Sequence, residues 1–170
     1  AAWVWDVKLA PGDVREIHAA CPGSSVPCNH ALAQATTDWR ERLGFTQIEL
    51  PGTFQKFADS FKTAAAHILL NRDGAAFQPG SRRYTRSWIR DGAMMGAALL
   101  RAGSATEMRD FIRWYAGYQA DSGAVPCCVD EDGADWLVEH DSHGQLVFAV
   151  AEYVRFTGDM QLLRELWPAM

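Results

Sequence analysis

Apolar residues recur every three to four positions along most of the chain from residue 31 onward, and this spacing predicts α-helices. In the second predicted helix, one stripe, which we expect to face a core, contains Phe54, Phe57, Phe61, Ala65 and Ile68. The predicted helices cover residues 31–43, 54–70, 88–100, 105–119, 145–154 and 160–167. The predicted fold class is therefore mainly α.

Helices with two kinds of surface alternate along the second half of the chain. The segments 88–100 and 145–154 are apolar nearly all round, which predicts helices that are buried on every side. The segment that follows each of them is amphipathic. Gly103 and Gly158 are expected to end the apolar helices, and the turns that follow are short enough to make each helix pair antiparallel.

The same unit is predicted twice, with a period of about fifty residues. It consists of a long loop, a buried helix, a glycine turn and an amphipathic helix, which begins at a capping box of Ser104 and Glu107 in one repeat and at Asp159 in the other. An (α/α) toroid buries every second helix in this way, because its inner ring packs against itself and against the outer ring. An α-solenoid is the alternative, but its loops are usually shorter.

The first residues follow a different pattern. Residues 3–9 alternate between apolar and polar, Pro11 and Gly12 provide turn chemistry, and residues 14–19 can return as a second strand, so we expect a β-hairpin. A lone hairpin is marginal in water, so we expect it to be the last piece of a β domain. The predicted domains are the end of this N-terminal β domain (1–20), a linker with a linker helix (21–50) and part of an (α/α) toroid, about two and a half helical hairpins (51–170).

Composition and charge narrow the class of partner. Hydrophobic residues make up 48% and charged residues 22% of the chain, which is typical of a globular protein. The net charge of −5 argues against binding to nucleic acid or to an anionic membrane surface, and the longest apolar run, 93–100, is too short to cross a bilayer. We expect a small neutral or cationic ligand. Because neither end has the features of a natural terminus, the rest of a parent chain is expected to complete the toroid.

Both long loops deliver polar residues to the start of an apolar helix. Trp88, Arg90 and Asp91 occupy this position in the first repeat. The residues in the second repeat are Glu139, His140, Asp141, Ser142 and His143, and Trp136 lies in the loop before them. If the N-termini of the two helices open into one pocket, that pocket combines aromatic rings with side chains that can hydrogen-bond vicinal hydroxyls. A sugar-binding site needs this combination. The alternative is an ordinary ion pair of Arg90 and Asp91 at a helix N-terminus.

Two metal sites are weaker alternatives. His140 and His143 lie one turn apart and could join Cys127 or Cys128 around zinc, but the spacing matches no strong zinc pattern. The acidic run 130–135 resembles a calcium loop without the glycine placement of an EF-hand. We therefore predict no metal and no cofactor.

The segment 84–92, which contains Trp-Ile-Arg-Asp-Gly, resembles the aromatic-x-Arg-Asp-Gly segment of six-hairpin glycosidases of the glucoamylase and glycogen-debranching (amylo-α-1,6-glucosidase) type. Residues 121–126, 135–136 and 139–144 are similar to the next loop and inner helix of these enzymes. The resemblance implies that Arg90 and Asp91 bind the sugar in the innermost subsite, and it is compatible with a β-sandwich in front of the toroid.

The function that this resemblance implies is hydrolysis of O-glycosidic bonds in α-glucosides by two carboxyl groups. Glu139 and Asp141 are the best-placed carboxylates for catalysis within the chain. The resemblance also implies that the acid and the base come from later hairpins, beyond residue 170, so that the present residues bind substrate. A polysaccharide lyase or sugar epimerase on the same toroid, and a toroid fragment that binds carbohydrate without catalysis, remain as alternatives.

Overall fold

The computed structural model describes residues 4–17, 28–44, 46–81 and 84–170, and most of them are helical. The chain divides into two units, residues 1–42 and residues 43–170. The mainly α class predicted from the hydrophobic pattern is confirmed.

The first unit contains a turn and one helix in its described residues. The turn at Pro11 and Gly12 is present, and the backbone N–H of Asp13 donates to the carbonyl of Ala10 at 3.0 Å. The predicted β-hairpin is wrong for residues 4–17, because none of them forms a strand and all are exposed. Two short strands without a third strand or a packed face are marginal in water. The assignment of residues 1–20 to a β-sandwich stays a prediction, and residues 1–3 and 18–27 lie outside the described residues.

Helix α1 spans Cys28–Arg42 and agrees with the helix predicted at 31–43. Each helix of the second unit begins and ends within three residues of its predicted bounds. They are α2 (Gln55–Leu70, after a 3-10 turn at Gly52–Phe54), α3 (Ile89–Ala102), α4 (Thr106–Ala116), α5 (Ser142–Thr157) and α6 (Met160–Leu166, followed by a 3-10 turn at Trp167–Ala169). Strong 3.6-residue periodicity is the reason why they could be found from sequence.

Two small antiparallel sheets, which the hydrophobic pattern did not predict, organise the long loops. Strands β1 (Arg72–Asp73) and β2 (Ala76–Phe77) form a hairpin. Strands β3 (Ser87–Trp88), β4 (Cys128–Asp130) and β5 (Gly133–Asp135) form the second sheet, with β4 in the centre. Trp88 pairs with Cys128, which in turn pairs with Asp135. The loop before α3 and the loop before α5 are therefore joined.

Helices α3 and α4 form one hairpin, and α5 and α6 form another. Gly103 and Gly158 end α3 and α5 in the left-handed region, with φ of 98° and 71°, as predicted. Asp159 caps α6 by accepting the backbone N–H of Leu162 at 2.9 Å. The predicted capping box is wrong, because the Ser104 hydroxyl contacts the Glu107 carboxylate and α4 begins at Thr106 without a side-chain cap.

Ion pairs connect the two hairpins at a nearly constant interval in sequence. Arg90 pairs with Asp141 and Arg101 pairs with Glu152, both 51 residues apart, so α3 and α5 run parallel as neighbours. Arg113 of α4 pairs with Glu165 of α6 at an interval of 52. The repeat of about fifty residues predicted from the sequence is therefore present in three dimensions.

The core lies between the two hairpins and the sheets. Its largest fully buried side chains include Phe77, Phe111, Tyr115, Leu146 and Leu162. Helix α4 approaches α3 closely because α3 has glycine at the positions that face large side chains of α4. Gly92 lies against the Phe111 ring, and Gly96 lies against Met108.

Two predictions about buried faces are wrong for the described residues. Met94 of α3 is 61% exposed, and Val147 and Phe148 of α5 are 37% and 38% exposed, so neither helix is buried on every side. Each helix buries the face toward its neighbours and leaves an apolar stripe on the other face. In α2, the predicted stripe is buried only at Ala65 and half-buried at Ile68, whereas Phe54, Phe57 and Phe61 are exposed. Ala58 and Leu69 are buried as well, because the small-residue face of α2 lies against the core.

Candidate functional site

The candidate site lies where α3 and α5 begin. Strand β3 runs directly into α3, so that Trp88 is the N-cap residue of the helix and Arg90 is its second residue. Asp141 is the N-cap residue of α5. Because the two helices are parallel neighbours and the three-stranded sheet joins their preceding loops, both helix N-termini are at the same end of the unit.

Arg90 connects the two repeats with three hydrogen bonds. Its Nε donates to Asp141 Oδ2 at 2.6 Å, and its Nη2 donates to Asp141 Oδ1 at 2.8 Å and to Glu139 Oε2 at 2.6 Å. The bidentate geometry fixes the planes of both charged groups. We call Arg90, Asp91, Glu139 and Asp141 the Arg90 cluster.

The charge of Asp141 is stabilised by these contacts. The hydrogen bonds from Arg90 are the main reason why the pKa of Asp141 is lowered to about 2, and Gln145 adds a longer contact at 3.4 Å. The same pair raises the already high pKa of Arg90. Both groups are therefore ionised throughout the physiological range, and Asp141 has no proton to give at neutral pH.

Hydrogen-bonding capacity remains open in the Arg90 cluster. Among the described residues, neither N–H of Arg90 Nη1 has a partner, and no donor or cation contacts the half-buried carboxylate of Asp91. The alternative of an Arg90–Asp91 ion pair is wrong, because the partners of Arg90 are Asp141 and Glu139. Arg90 thus offers an unpartnered donor edge and the next residue offers an unpartnered carboxylate, which are the two kinds of group that bind the hydroxyls of a sugar diol.

The other predicted site residues surround this position with fewer contacts. Trp88 is half-buried, with its ring centre 6.4 Å from that of Tyr84 and 5.8 Å from Arg86 Cζ. Trp136, His140 and His143 are exposed, and no hydrogen bond or ion pair joins them to the Arg90 cluster in the described part of the chain. The structure thus joins Arg90 to Glu139 and Asp141, and leaves the two histidines and Trp136 at the surface.

Sequence reasoning missed a second arginine that organises the same loops. Arg86 donates to Asp130 Oδ2 and to Asp135 Oδ2, each at 2.7 Å, and thereby holds the β4–β5 hairpin against β3. The backbone N–H of Leu137 and the guanidinium of Arg86 both lower the pKa of Asp135. The acidic run 130–135 was the available signal, but a run of carboxylates does not identify which cation they bind.

The structure also separates the residues of the zinc alternative. Cys127 and Cys128 are buried and form a group with Asp135, without either histidine. Burial, followed by the neighbouring Cys127 thiol, raises the pKa of Cys128 to about 12, so that this thiol is protonated at neutral pH.

Comparisons with known proteins agree with the resemblance noted in the sequence. A family model described as amylo-alpha-1,6-glucosidase matches residues 57–170, which is more than half of the chain. Searches of the curated proteins and of the solved structures found no match. Among the described residues, no helix combines the length and the apolar character that crossing a membrane requires.

Proposed function

Because the chain belongs to the amylo-alpha-1,6-glucosidase family, we propose that it supplies substrate-binding residues of a glycoside hydrolase that cleaves O-glycosidic bonds in α-glucosides. The observation that carries the proposal is the Arg90 cluster, in which Arg90 is held by Asp141 and Glu139 at the shared end of α3 and α5. The matched region, 57–170, contains every residue of this cluster.

In this proposal the free edge of Arg90 and the carboxylate of Asp91 bind two adjacent hydroxyl groups of one glucose ring. Arg90 Nη1 donates to one hydroxyl oxygen, and Asp91 accepts from the neighbouring hydroxyl. Because Asp141 and Glu139 hold the guanidinium in one orientation, little conformational freedom is lost when the sugar binds. The half-buried ring of Trp88 and the exposed ring of Trp136 are the candidates for stacking on the sugar.

Glu139 and Asp141 act as positioning residues and not as the catalytic pair. A general acid must be protonated at the working pH, whereas the Arg90 contacts lower the pKa of Asp141 to about 2. Arg90 engages both oxygens of Asp141 and Oε2 of Glu139, and these charge-assisted hydrogen bonds make the carboxylates weaker bases and nucleophiles. The two-carboxylate chemistry is accordingly assigned to later residues of a parent chain, as the family resemblance implies.

We further infer that the two hairpins form part of an (α/α)6 toroid. The 51-residue interval of the α3–α5 ion pairs supports a repeated hairpin. The exposed apolar stripes on α3 and α5, which include Met94 and Phe148, are the faces that an inner ring would bury against further hairpins.

Calorimetric titration of the chain with maltoheptaose tests the proposal, with an oligogalacturonate as the matched acidic ligand. We expect binding of maltoheptaose and weaker binding of the uronate, which the carboxylates of the cluster repel. Asp91→Asn keeps the shape of the side chain and is expected to weaken maltoheptaose binding about tenfold.

Asp121→Asn is the control, because Asp121 is an exposed loop carboxylate without a partner in the described residues. Unchanged affinity in Asp91→Asn would overturn the assignment of the sugar site. Preference for the uronate would favour the lyase or epimerase alternative. Hydrolysis itself is then measured on the complete parent protein with and without Asp91→Asn.

A further inference from the structure

A second polar cavity lies on another part of the same unit. It has a volume of about 690 Å³ and is bounded by the β1–β2 hairpin, the β4–β5 turn and the end of α4. Ligand sites typically have volumes of about 300–1,000 Å³, so the space is suited to an organic molecule and is far larger than an ion needs. We call it the hairpin cavity.

The hairpin cavity is separate from the Arg90 cluster. The cavity is lined by residues of the β1–β2 hairpin, Thr85, Ser87, Trp114 and the β4–β5 turn, whereas the Arg90 cluster is formed at residues 90–91 and 139–141. None of the residues that line the cavity belongs to the Arg90 cluster.

The donors of the cavity are held in place and lack partners. Arg72 is 14% exposed, and its guanidinium lies 5.4 Å from the ring centre of Phe77 and 3.7 Å from Asp110 Oδ2. Its buried Nε has no hydrogen-bond partner among the described residues. Trp114 is packed edge-on against Tyr115 and Tyr118, and its indole N–H is likewise without a partner in the described chain.

The acceptors of the cavity lie at its mouth. Asp73, Glu131 and Asp132 line the space, are exposed and form no ion pair within the described residues, whereas Asp130 is paired with Arg86. The occupant must therefore offer several donors to carboxylates and also accept from Arg72 and Trp114. A hydroxyl group does both. A protonated polyamine would satisfy the carboxylates, but it has no lone pair that could accept from Arg72 or from the Trp114 indole.

We propose that the hairpin cavity is a second carbohydrate-binding site, which binds a neutral polyol chain away from the Arg90 cluster. Carboxylates of Glu131 and Asp132 accept from sugar hydroxyls, Arg72 and the Trp114 indole donate to them, and the immobilised indole ring offers an apolar edge. The choice of an α-1,4-glucan as the polyol rests on the proposed function. Two sites on one chain would hold a branched glucan at two points and raise its effective concentration.

A site-specific readout is available because Trp114 lines the cavity. The chain is labelled with 5-fluorotryptophan, and the fluorine resonance of residue 114 is assigned by its loss in Trp114→Phe. Titration with maltoheptaose is expected to shift this resonance in the wild type and equally in Asp91→Asn. In the double variant Glu131→Gln/Asp132→Asn, which keeps side-chain shape at an exposed turn, the dissociation constant read at Trp114 is expected to rise about tenfold.

The outcomes separate this inference from the proposed function. A Trp114 resonance that does not move at saturating maltoheptaose, or an unchanged dissociation constant in the double variant, overturns the second site while the effect of Asp91→Asn on calorimetric binding still tests the first. A shift with spermidine but not with maltoheptaose also overturns it, in favour of a cationic ligand. If Asp91→Asn has no effect on calorimetric binding while the Trp114 shift persists, the proposed function fails and the second site stands.

Discussion

Arg90 and Asp141 stand 51 residues apart in the chain and are joined by two hydrogen bonds of 2.6 and 2.8 Å between the N-termini of two parallel helices. Arg101 and Glu152 repeat the same interval further along these helices, at 2.5 Å. The first pair is partly exposed and retains free hydrogen-bonding capacity, whereas the Glu152 side chain is 3% exposed and is surrounded by Arg101 and Arg155. The same 51-residue interval therefore produces one ion pair that is partly exposed and another whose carboxylate is buried.

Arg90→Lys is expected to weaken maltoheptaose binding about tenfold with little change in thermal stability. A lysine ammonium keeps the charge, but it cannot form the bidentate contact that orients the free edge toward the sugar. Calorimetry and a melting curve measure the two effects. Arg113→Lys is the matched control, since Arg113 and Glu165 form an equally exposed bidentate pair between α4 and α6. Equal loss of binding in both variants would contradict a special role for Arg90.

The Arg90–Asp141 pair is expected to persist on acidification until the pH approaches about 2. The pKa of Asp141 is lowered in the folded protein, so its contribution to stability is present above the ordinary Asp pKa of about 3.9 and is lost as the pH falls through about 2. Carboxyl carbon chemical shifts in a pH titration give the midpoint directly. In Arg90→Lys the midpoint is expected to move up toward the ordinary value. A wild-type midpoint near 3.9 would show that the pair does not form in solution.

Gly92→Ala is expected to destabilise the protein by about 1–3 kcal/mol, because the new methyl group would overlap the fully buried Phe111 ring. Gly96→Ala meets the sulfur of Met108, whose flexible side chain can move, so a smaller loss is expected. Gly144→Ala in α5 meets no atom and is expected to stabilise by about 0.4–1 kcal/mol. Urea unfolding of the three variants measures the order, and a Gly92→Ala variant as stable as Gly144→Ala would disprove the close α3–α4 contact.

The chain is expected to associate or to melt at a concentration-dependent temperature, because α3 and α5 expose the apolar side chains of Met94, Val147 and Phe148. Sedimentation velocity over a range of concentrations measures this. Val147→Gln/Phe148→Gln is expected to shift the distribution toward the monomer, whereas Met160→Gln, at an exposed position of α6, serves as the control. A wild-type monomer with a melting temperature independent of concentration would contradict the prediction.

The helices and the glycine turns could be predicted from the sequence because their signals are local. Period-3.6 patterns marked six helices, and Gly103 and Gly158 marked the ends of α3 and α5. The short strands β3, β4 and β5 could not be found in this way. Each has only two or three residues, so no alternating pattern develops, and the pairing of β3 with β4 joins residues about forty positions apart.

The sequence by itself determined the helical repeat and the two groups of polar residues at the helix starts, since both follow from spacing along the chain. Only the tertiary structure decided that Arg90 binds Asp141 and Glu139 instead of the adjacent Asp91, and that Arg86 holds Asp130 and Asp135. It also decided that Phe57 of α2 is exposed while Ala58 is buried. The physical reason is that the partner of a charged residue, and the face of a helix that becomes buried, depend on which other segment packs against it. That segment is distant in the sequence, about fifty residues away for the two helical hairpins.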